Sequence, residues 1–211
     1  MRRRASSTLG LLPTLLTASC GLFPTPNWLD GKIADGTYSA PDGDFTVKVP
    51  HTDAYERTYM AAKERGDDTE FYVSFGPAAF DKSIYRLAVV KSPVSPLPAG
   101  ELQRMARGIG GVLSAQLEPM TGEKLVVAGE SPATVGSSPA YRISYTQHAP
   151  AGTVATDEAT ILHESYMIQR GDRVYSVWVQ TYRWQDATAN SVSQRGISAY
   201  DFADSVAFRK P

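Results

Sequence analysis

The stretch ATILHESYMIQRGDRVYSVWVQTY, residues 159–182, decides the fold. Two runs rich in aromatic and β-branched residues, Ala159 to Gln169 and Arg173 to Tyr182, flank Gly171-Asp172. A glycine next to an aspartate is the chemistry of a tight hairpin turn. In the second run Val174, Ser176, Trp178 and Gln180 alternate with Tyr175, Val177, Val179 and Thr181. A period of two is that of a strand, and the Tyr175 set is the better core face. Trp178, flanked on its own face by Ser176 and Gln180, is expected on the wetter side.

The same pattern extends in both directions. Upstream, Tyr141, Ile143 and Tyr145 alternate within a strand from Ala140 to Thr146, and Ala149 to Thr156 is the looser turn of another hairpin. Leu125 to Ala128 is a further strand, and Gly136-Ser137-Ser138-Pro139 is the turn that precedes the next one. Before this sheet-forming region lies the clearest helix. Leu102, Met105, Ala106, Ile109, Val112, Leu113 and Leu117 recur every three or four residues, with Pro98 at its start and Pro119 and Gly122 at its end. Gly108, Gly110 and Gly111 each cost such a helix about 1 kcal/mol relative to alanine. A helix that carries them crosses a sheet closely. Phe45, Val47 and Val49 alternate after the Pro41-Asp42-Gly43-Asp44 turn, and Glu70 to Phe75 and Ile84 to Lys91 also read as strands. Asp53 to Gly66 is compatible with helix or strand; Tyr55, Tyr59 and Ala62 lie on one helical stripe, and helix is preferred. A helix from Ala187 to about Ala203 and a short strand from Ser205 to Phe208 close the chain. The order implies an α+β fold, a mainly antiparallel sheet covered by helices.

The 211 residues fit one domain with a terminal extension. Of 21 basic side chains the first three are Arg2, Arg3 and Arg4; the remaining 18 face 22 acidic ones, a formal charge of −4. A mildly acidic body gives no reason to expect nucleic acid as a partner. After the arginines, Leu9, Leu11, Leu12, Leu15 and Leu16 form a short apolar run, followed by the small residues Thr17, Ala18 and Ser19. That is the three-part pattern of a secretory signal peptide. The run is too short to span a bilayer, which takes about 20 apolar residues. Cys20, the sole cysteine, stands directly after the small residues. An exported protein with a lone thiol is unusual, whereas a thiol consumed by lipidation is no liability. The alternative is an ordinary signal peptide that happens to carry a cysteine.

Leu16-Thr17-Ala18-Ser19-Cys20 resembles the lipobox of bacterial lipoproteins, with Thr17 where that pattern prefers leucine. The resemblance implies cleavage between Ser19 and Cys20, a diacylglyceryl group on the Cys20 thiol and often a third chain, such as palmitate, on its amine. Two or three acyl chains give stable anchoring where one does not. Gly21, in place of an aspartate, favours the outer membrane facing the periplasm if the organism is Gram-negative. Residues 1–19 thus read as signal peptide, 20–37 as a tether containing Pro24, Pro26, Gly31 and Gly36, and 38–211 as the single α+β domain.

A second resemblance covers most of that domain. Tyr38-Ser39-Ala40-Pro41-Asp42-Gly43-Asp44-Phe45-Thr46-Val47-Lys48-Val49-Pro50 looks like the opening strand of the Mog1/PsbP/DcrB-like superfamily. So do Pro139 to Tyr145, the hairpin through Arg173-Val174-Tyr175, and the closing Phe202 to Phe208. The resemblance implies a sandwich-like α+β domain that is mostly non-enzymatic and binds a protein partner or assists assembly. A cone-shaped nuclear-transport-factor-2-like fold is the second expectation.

No motif for chemistry competes with this reading. His51, His148 and His163 are scattered, too few and too far apart for a metal site, and no cofactor is expected. There is no Gly-x-Ser-x-Gly nucleophile turn, and Gly108-Ile109-Gly110-Gly111 lies within a helix rather than at its start after a strand. Glu158 and Glu164 share a strand face with Thr160 and Leu162, most simply the solvent side. No catalytic residue is assigned. Trp178 and Trp184 are the candidate binding surface, because an aromatic on the wetter face of a sheet can mark one. The expected function is a non-catalytic, lipid-anchored cell-envelope protein that binds a protein partner. The alternative is a lipid-anchored small-molecule binder or hydrolase with a site in the sheet concavity, which a buried carboxylate or histidine would favour.

Overall fold

The fold was analysed in a computed structural model that describes residues 31–41, 43–50, 59–64, 70–76, 83–92, 95–98, 100–153, 157–184 and 197–209. Three short strands come first, β1 (Lys32–Ala34), β2 (Thr37–Ser39) and β3 (Phe45–Lys48). Three more precede the long helix: β4 (Tyr59–Glu64), β5 (Glu70–Phe75) and β6 (Ile84–Lys91), then α1 (Glu101–Thr121). Four long strands follow: β7 (Val126–Val135), β8 (Ser138–Ala149), β9 (Ala159–Arg170) and β10 (Arg173–Trp184). A short helix α2 (Ala199–Asp204) and β11 (Ala207–Phe208) end the chain.

The strands form two antiparallel sheets. The large one has the order β4-β5-β6-β10-β9-β8-β7, the small one β1-β2-β3-β11. β10 pairs with β9 along its whole length, from Arg173 opposite Arg170 to Trp184 opposite Ala159, and with β6 on its other side. The hairpin therefore lies inside the sheet, with Gly171 at a positive φ of 63° in its turn.

Each face of the large sheet has its own core. On one face Tyr38, Phe45 and Val47 of the small sheet and Phe202 and Ala203 of α2 pack on Phe75, Tyr85, Leu87, Tyr175 and Val177. Edge-on aromatic contacts tie the layers: Tyr38 with Phe75 at 6.1 Å, Phe75 with Phe202 at 6.1 Å and Tyr85 with Phe202 at 5.3 Å between ring centroids. Burying each such large side chain contributes about 1.5–3 kcal/mol. On the opposite face α1 lies over β8 and β9, with Met105, Ala106, Ile109 and Leu113 against Tyr141, Ile143, Tyr145, Met167 and Trp178. The result is an α+β sandwich: a helix on one side of an antiparallel sheet, a second small sheet and a short helix on the other.

Three sequence expectations change. The preferred helix at 53–66 is replaced, over Tyr59–Glu64, by strand β4. Its backbone pairs with β5, Tyr59 opposite Phe75 and Glu64 opposite Glu70. The three-residue spacing of Tyr59 and Ala62 carries less weight than a partner strand that can accept every second peptide. Residues 53–58 lie outside the described ones. The helix expected from Ala187 is present over Ala199–Asp204, where the Ser198 hydroxyl caps it by accepting from the Asp201 N–H at 3.0 Å. Residues 187–196 lie outside the described ones. Finally, the sheet reaches back into the segment read as tether, because Lys32–Ala34 pairs with Thr37–Ser39.

The glycines of α1 divide by environment. A Cβ on Gly110 would lie 2.0 Å from the Tyr145 hydroxyl oxygen and 2.6 Å from its Cζ, whereas one on Gly108 or Gly111 would meet nothing within 4 Å. Gly110 is the close crossing over the sheet. Gly110→Ala is expected to destabilise the domain by about 1–3 kcal/mol through overpacking against buried Tyr145. Gly108→Ala is expected to stabilise it by up to about 1 kcal/mol. Urea denaturation of the two variants checks the opposite signs.

Candidate functional site

The antiparallel register lines up one row of side chains across the α1 face of the large sheet. Ser74 of β5 stands opposite Arg86 of β6, Arg86 opposite Trp178 of β10, Trp178 opposite Ser165 of β9, and Ser165 opposite Ile143 of β8. Gln180 and His163 form the adjacent pair, and Tyr182 follows on β10. α1 covers the Ile143 end of this row, while the Arg86 end lies beyond the strands on which it rests.

Trp178 is the hub. It is only 5 % exposed. Its indole Nε1–H donates to His163 Nδ1 at 3.3 Å, and the two rings lie 5.7 Å apart. The Arg86 guanidinium sits over the indole face, 4.3 Å from its centroid, a cation–π contact that is worth about 0.5–2 kcal/mol. Next to it the Gln180 amide donates to the Tyr182 hydroxyl at 2.5 Å. Burial pushes the Tyr182 phenol up to about 12, against a smaller opposing effect of the Arg86 charge.

His163 is 1 % exposed. Burial, and then the positive charge of Arg86, push its imidazole down to about 3, so it is neutral at any physiological pH. An indole nitrogen can only donate, so Nδ1 supplies the lone pair and the neutral ring carries its proton on Nε2. That Nε2–H is buried and has no hydrogen-bond partner; the same holds for the Nε–H of Arg86 and the hydroxyl of Ser165. Three donors thus surround one indole without an acceptor. With its lone pair engaged and its other nitrogen protonated, His163 has no means of acting as a base toward Ser165.

The other sequence candidates separate. Trp178, expected on the wetter face, is interior: the polar residues that alternate with it serve as partners inside a covered face rather than marking a wet one. Trp184 ends β10, and its side chain lies outside the described residues. Cys20 and Ser19, like His51, also lie outside them. His148 is on the opposite face from His163, 3.4 Å from Glu158. Glu164 is half-buried and pairs with Arg142 at 2.7 Å. Among the described residues no group of histidines, cysteines and carboxylates could hold a metal, and no helix is long and apolar enough to cross a membrane. Sequence reasoning missed Arg86 and Ser165 and set His163 aside as a scattered histidine, because nothing local marks them; only the strand register gathers them. Their sequence signal was slight: an arginine and a histidine within otherwise apolar strands.

No protein-family model matches the chain, and no curated protein does. Solved structures similar to it are distant. The solution structure of the cyanobacterial PsbP protein CyanoP from Synechocystis matches 87 % of this chain and 99 % of its own, at 10 % identity and a TM-score of 0.46. A Bacteroides thetaiotaomicron protein matches 86 % of this chain at 10 % identity and a TM-score of 0.45; this chain spans half of that protein's length. LpqN, involved in cell envelope biogenesis of Mycobacterium tuberculosis, matches 74 % of this chain and 71 % of its own, at 12 % identity and a TM-score of 0.29.

The depressed His163 pKa makes stability depend on pH. Between the ordinary histidine value of about 6.5 and the folded value of about 3, the unfolded chain binds a proton that the folded one refuses. Stability therefore falls as pH drops through this window, by about 1.5 kcal/mol between pH 6.5 and pH 5. Urea titrations at both pH values are expected to show this loss, and His163→Gln to remove it from the difference.

Proposed function

We propose that the protein is a lipoprotein of the bacterial cell envelope, cleaved after Ser19, held by lipid on Cys20, and carrying a non-catalytic α+β module that binds a protein partner or assists an assembly. The anchor rests on the arginines, the leucine run and the sole cysteine placed directly after Thr17-Ala18-Ser19. Gly21 favours the outer membrane, facing the periplasm, in a Gram-negative cell.

The observation that carries the protein-binding reading is the β7 edge of the large sheet, whose other edge strand is β4. β7 pairs with β8 on one side and has no further strand on its other side among the described residues. At its start Val126 and Val127 are 57 % and 54 % exposed, two large apolar side chains in water on a strand with unpaired peptides. An extended segment that adds to such an edge gains main-chain hydrogen bonds and apolar contact together. The bulge between Val127 and Gly129, and Pro132 beyond it, limit self-pairing along the rest of the strand. A second reading, a lipid-anchored small-molecule binder, is favoured by the buried histidine and its unpaired donors beside Trp178.

Growth of expressing cells with a radiolabelled fatty acid is expected to label the protein, and Cys20→Ala to abolish the label; a labelled Cys20→Ala chain would sink the anchor. A photo-crosslinking residue at Val127 is expected to give a discrete protein adduct in cells, and one at exposed Arg104 on α1 to give none. Val126→Lys should remove that adduct while changing stability by less than about 0.5 kcal/mol, since the position is exposed. Equal crosslinking from both positions would count against the edge.

A further inference from the structure

We propose that Arg86, His163 and Ser165, set round the indole of Trp178, hold the oxyanion of a small ligand, a carboxylate or a phosphate group. The proposal rests on the small-molecule reading and names the ligand class for it.

Every unpaired polar group of the cluster is a donor or can act as one. Arg86 Nε–H is buried without a partner and belongs to a side chain that carries a full positive charge. None of the ion pairs among the described residues includes Arg86. His163 Nε2–H is forced to be a donor by the indole bond at Nδ1. The Ser165 hydroxyl is free to turn toward whatever faces it. A cation partly withdrawn from water is disfavoured unless an opposite charge or hydrogen-bond acceptors meet it. The Trp178 face offsets part of this for the flat of the guanidinium, but the buried Nε–H at its edge is left. A planar carboxylate or a phosphate supplies at once a counter-charge and several acceptor lone pairs, and a guanidinium edge matches both.

Placement supports the same assignment. Ser74, Arg86, Trp178 and Ser165 share one cross-strand row on four neighbouring strands, so their side chains emerge from a single rigid sheet surface. Arg86 and Ser74 are half-buried while Trp178, His163 and Ser165 are buried, which sets the way in at the Arg86 end, away from α1. A neutral imidazole is suited to this role: it donates one hydrogen bond without bringing a second desolvated charge beside Arg86.

The test uses the full chain purified in detergent, with Trp28→Phe and Trp184→Phe so that Trp178 alone emits. It is titrated at constant ionic strength with succinate, with inorganic phosphate, and with dimethyl succinate as the uncharged counterpart. A saturable change in Trp178 emission with at least one anion, and none with the ester, is expected; which anion responds tells carboxylate from phosphate. Arg86→Gln is expected to weaken that response at least ten-fold, Arg86→Lys several-fold because the edge geometry is lost, and Ser165→Ala several-fold. Arg86→Met is expected to raise Tm without ligand, since it removes a charge that has no ion-pair partner among the described residues. No saturable response to either anion overturns the proposal, as does an anion response that Arg86→Gln leaves intact in a chain with unchanged far-ultraviolet circular dichroism. A response to the ester alone overturns the oxyanion while leaving the small-molecule reading standing; silence toward all three compounds, with a lower Tm for Arg86→Met, ends both.

Discussion

The hydrogen-bonded ladder between β9 and β10 constrains everything else in this molecule. It runs twelve residues on each strand in one register, from the Gly171-Asp172 turn to Trp184 opposite Ala159. β10 is also paired on its outer side with β6, so it is enclosed within the sheet and covered on both faces. A slip of one residue would exchange those faces. Trp178 and Gln180 would then be driven among Tyr38, Phe45 and Phe202, and Tyr175 and Val177 would take the place beside Arg86 and His163. The short turn, which leaves no slack between the strands, excludes that exchange.

The two faces enclosed by this ladder differ in kind. One is a conventional apolar core in which aromatic rings of the small sheet and α2 meet those of β5, β6 and β10 edge-on. The other begins as an apolar seam under α1 and turns polar toward β6, where Trp178 is shared between a cation on its face and a histidine at its N–H. Buried polar groups are tolerated when each finds a partner, and most here do: Gln180 with Tyr182, Gln147 with Thr121, Trp178 with His163. Three of the five exceptions among the described residues, Arg86 Nε, His163 Nε2 and Ser165 Oγ, lie on the Trp178 face of the sheet; the Tyr175 hydroxyl and Gln147 Oε1 are the others. Each unpaired group costs the fold its desolvation, and the proposed oxyanion site is one way in which the three beside Trp178 would be met.

The free β7 edge and the Trp178 cluster are separate features of one sheet. β7 is an edge strand, four places along the sheet from β6, which carries Arg86. A partner added at the edge would engage backbone peptides and Val126 and Val127; a ligand at Trp178 would engage side chains on the sheet face. Under the proposed lipid anchor on Cys20, both would act within a short distance of the bilayer, since only about a dozen residues separate Cys20 from the first strand at Lys32.

Much of this was legible in the sequence. The alternation of Tyr175, Val177 and Val179, the Gly171-Asp172 turn and the stripe from Leu102 to Leu117 all follow from local rules, because strand and helix periods are properties of neighbouring residues; that Gly110, of the three helix glycines, makes the close approach to Tyr145 was decided by packing. What the sequence left open was decided between elements distant along the chain. Tyr59–Glu64 is a strand because β5 offers it a ladder. Trp178 is interior because α1 and Arg86 cover a face whose own residues look wet. His163 loses its proton, and with Arg86 and Ser165 becomes part of one cluster, only because antiparallel register sets β6, β10 and β9 side by side: periodicity fixes which way a side chain points, but what it meets there depends on pairing that no local pattern encodes.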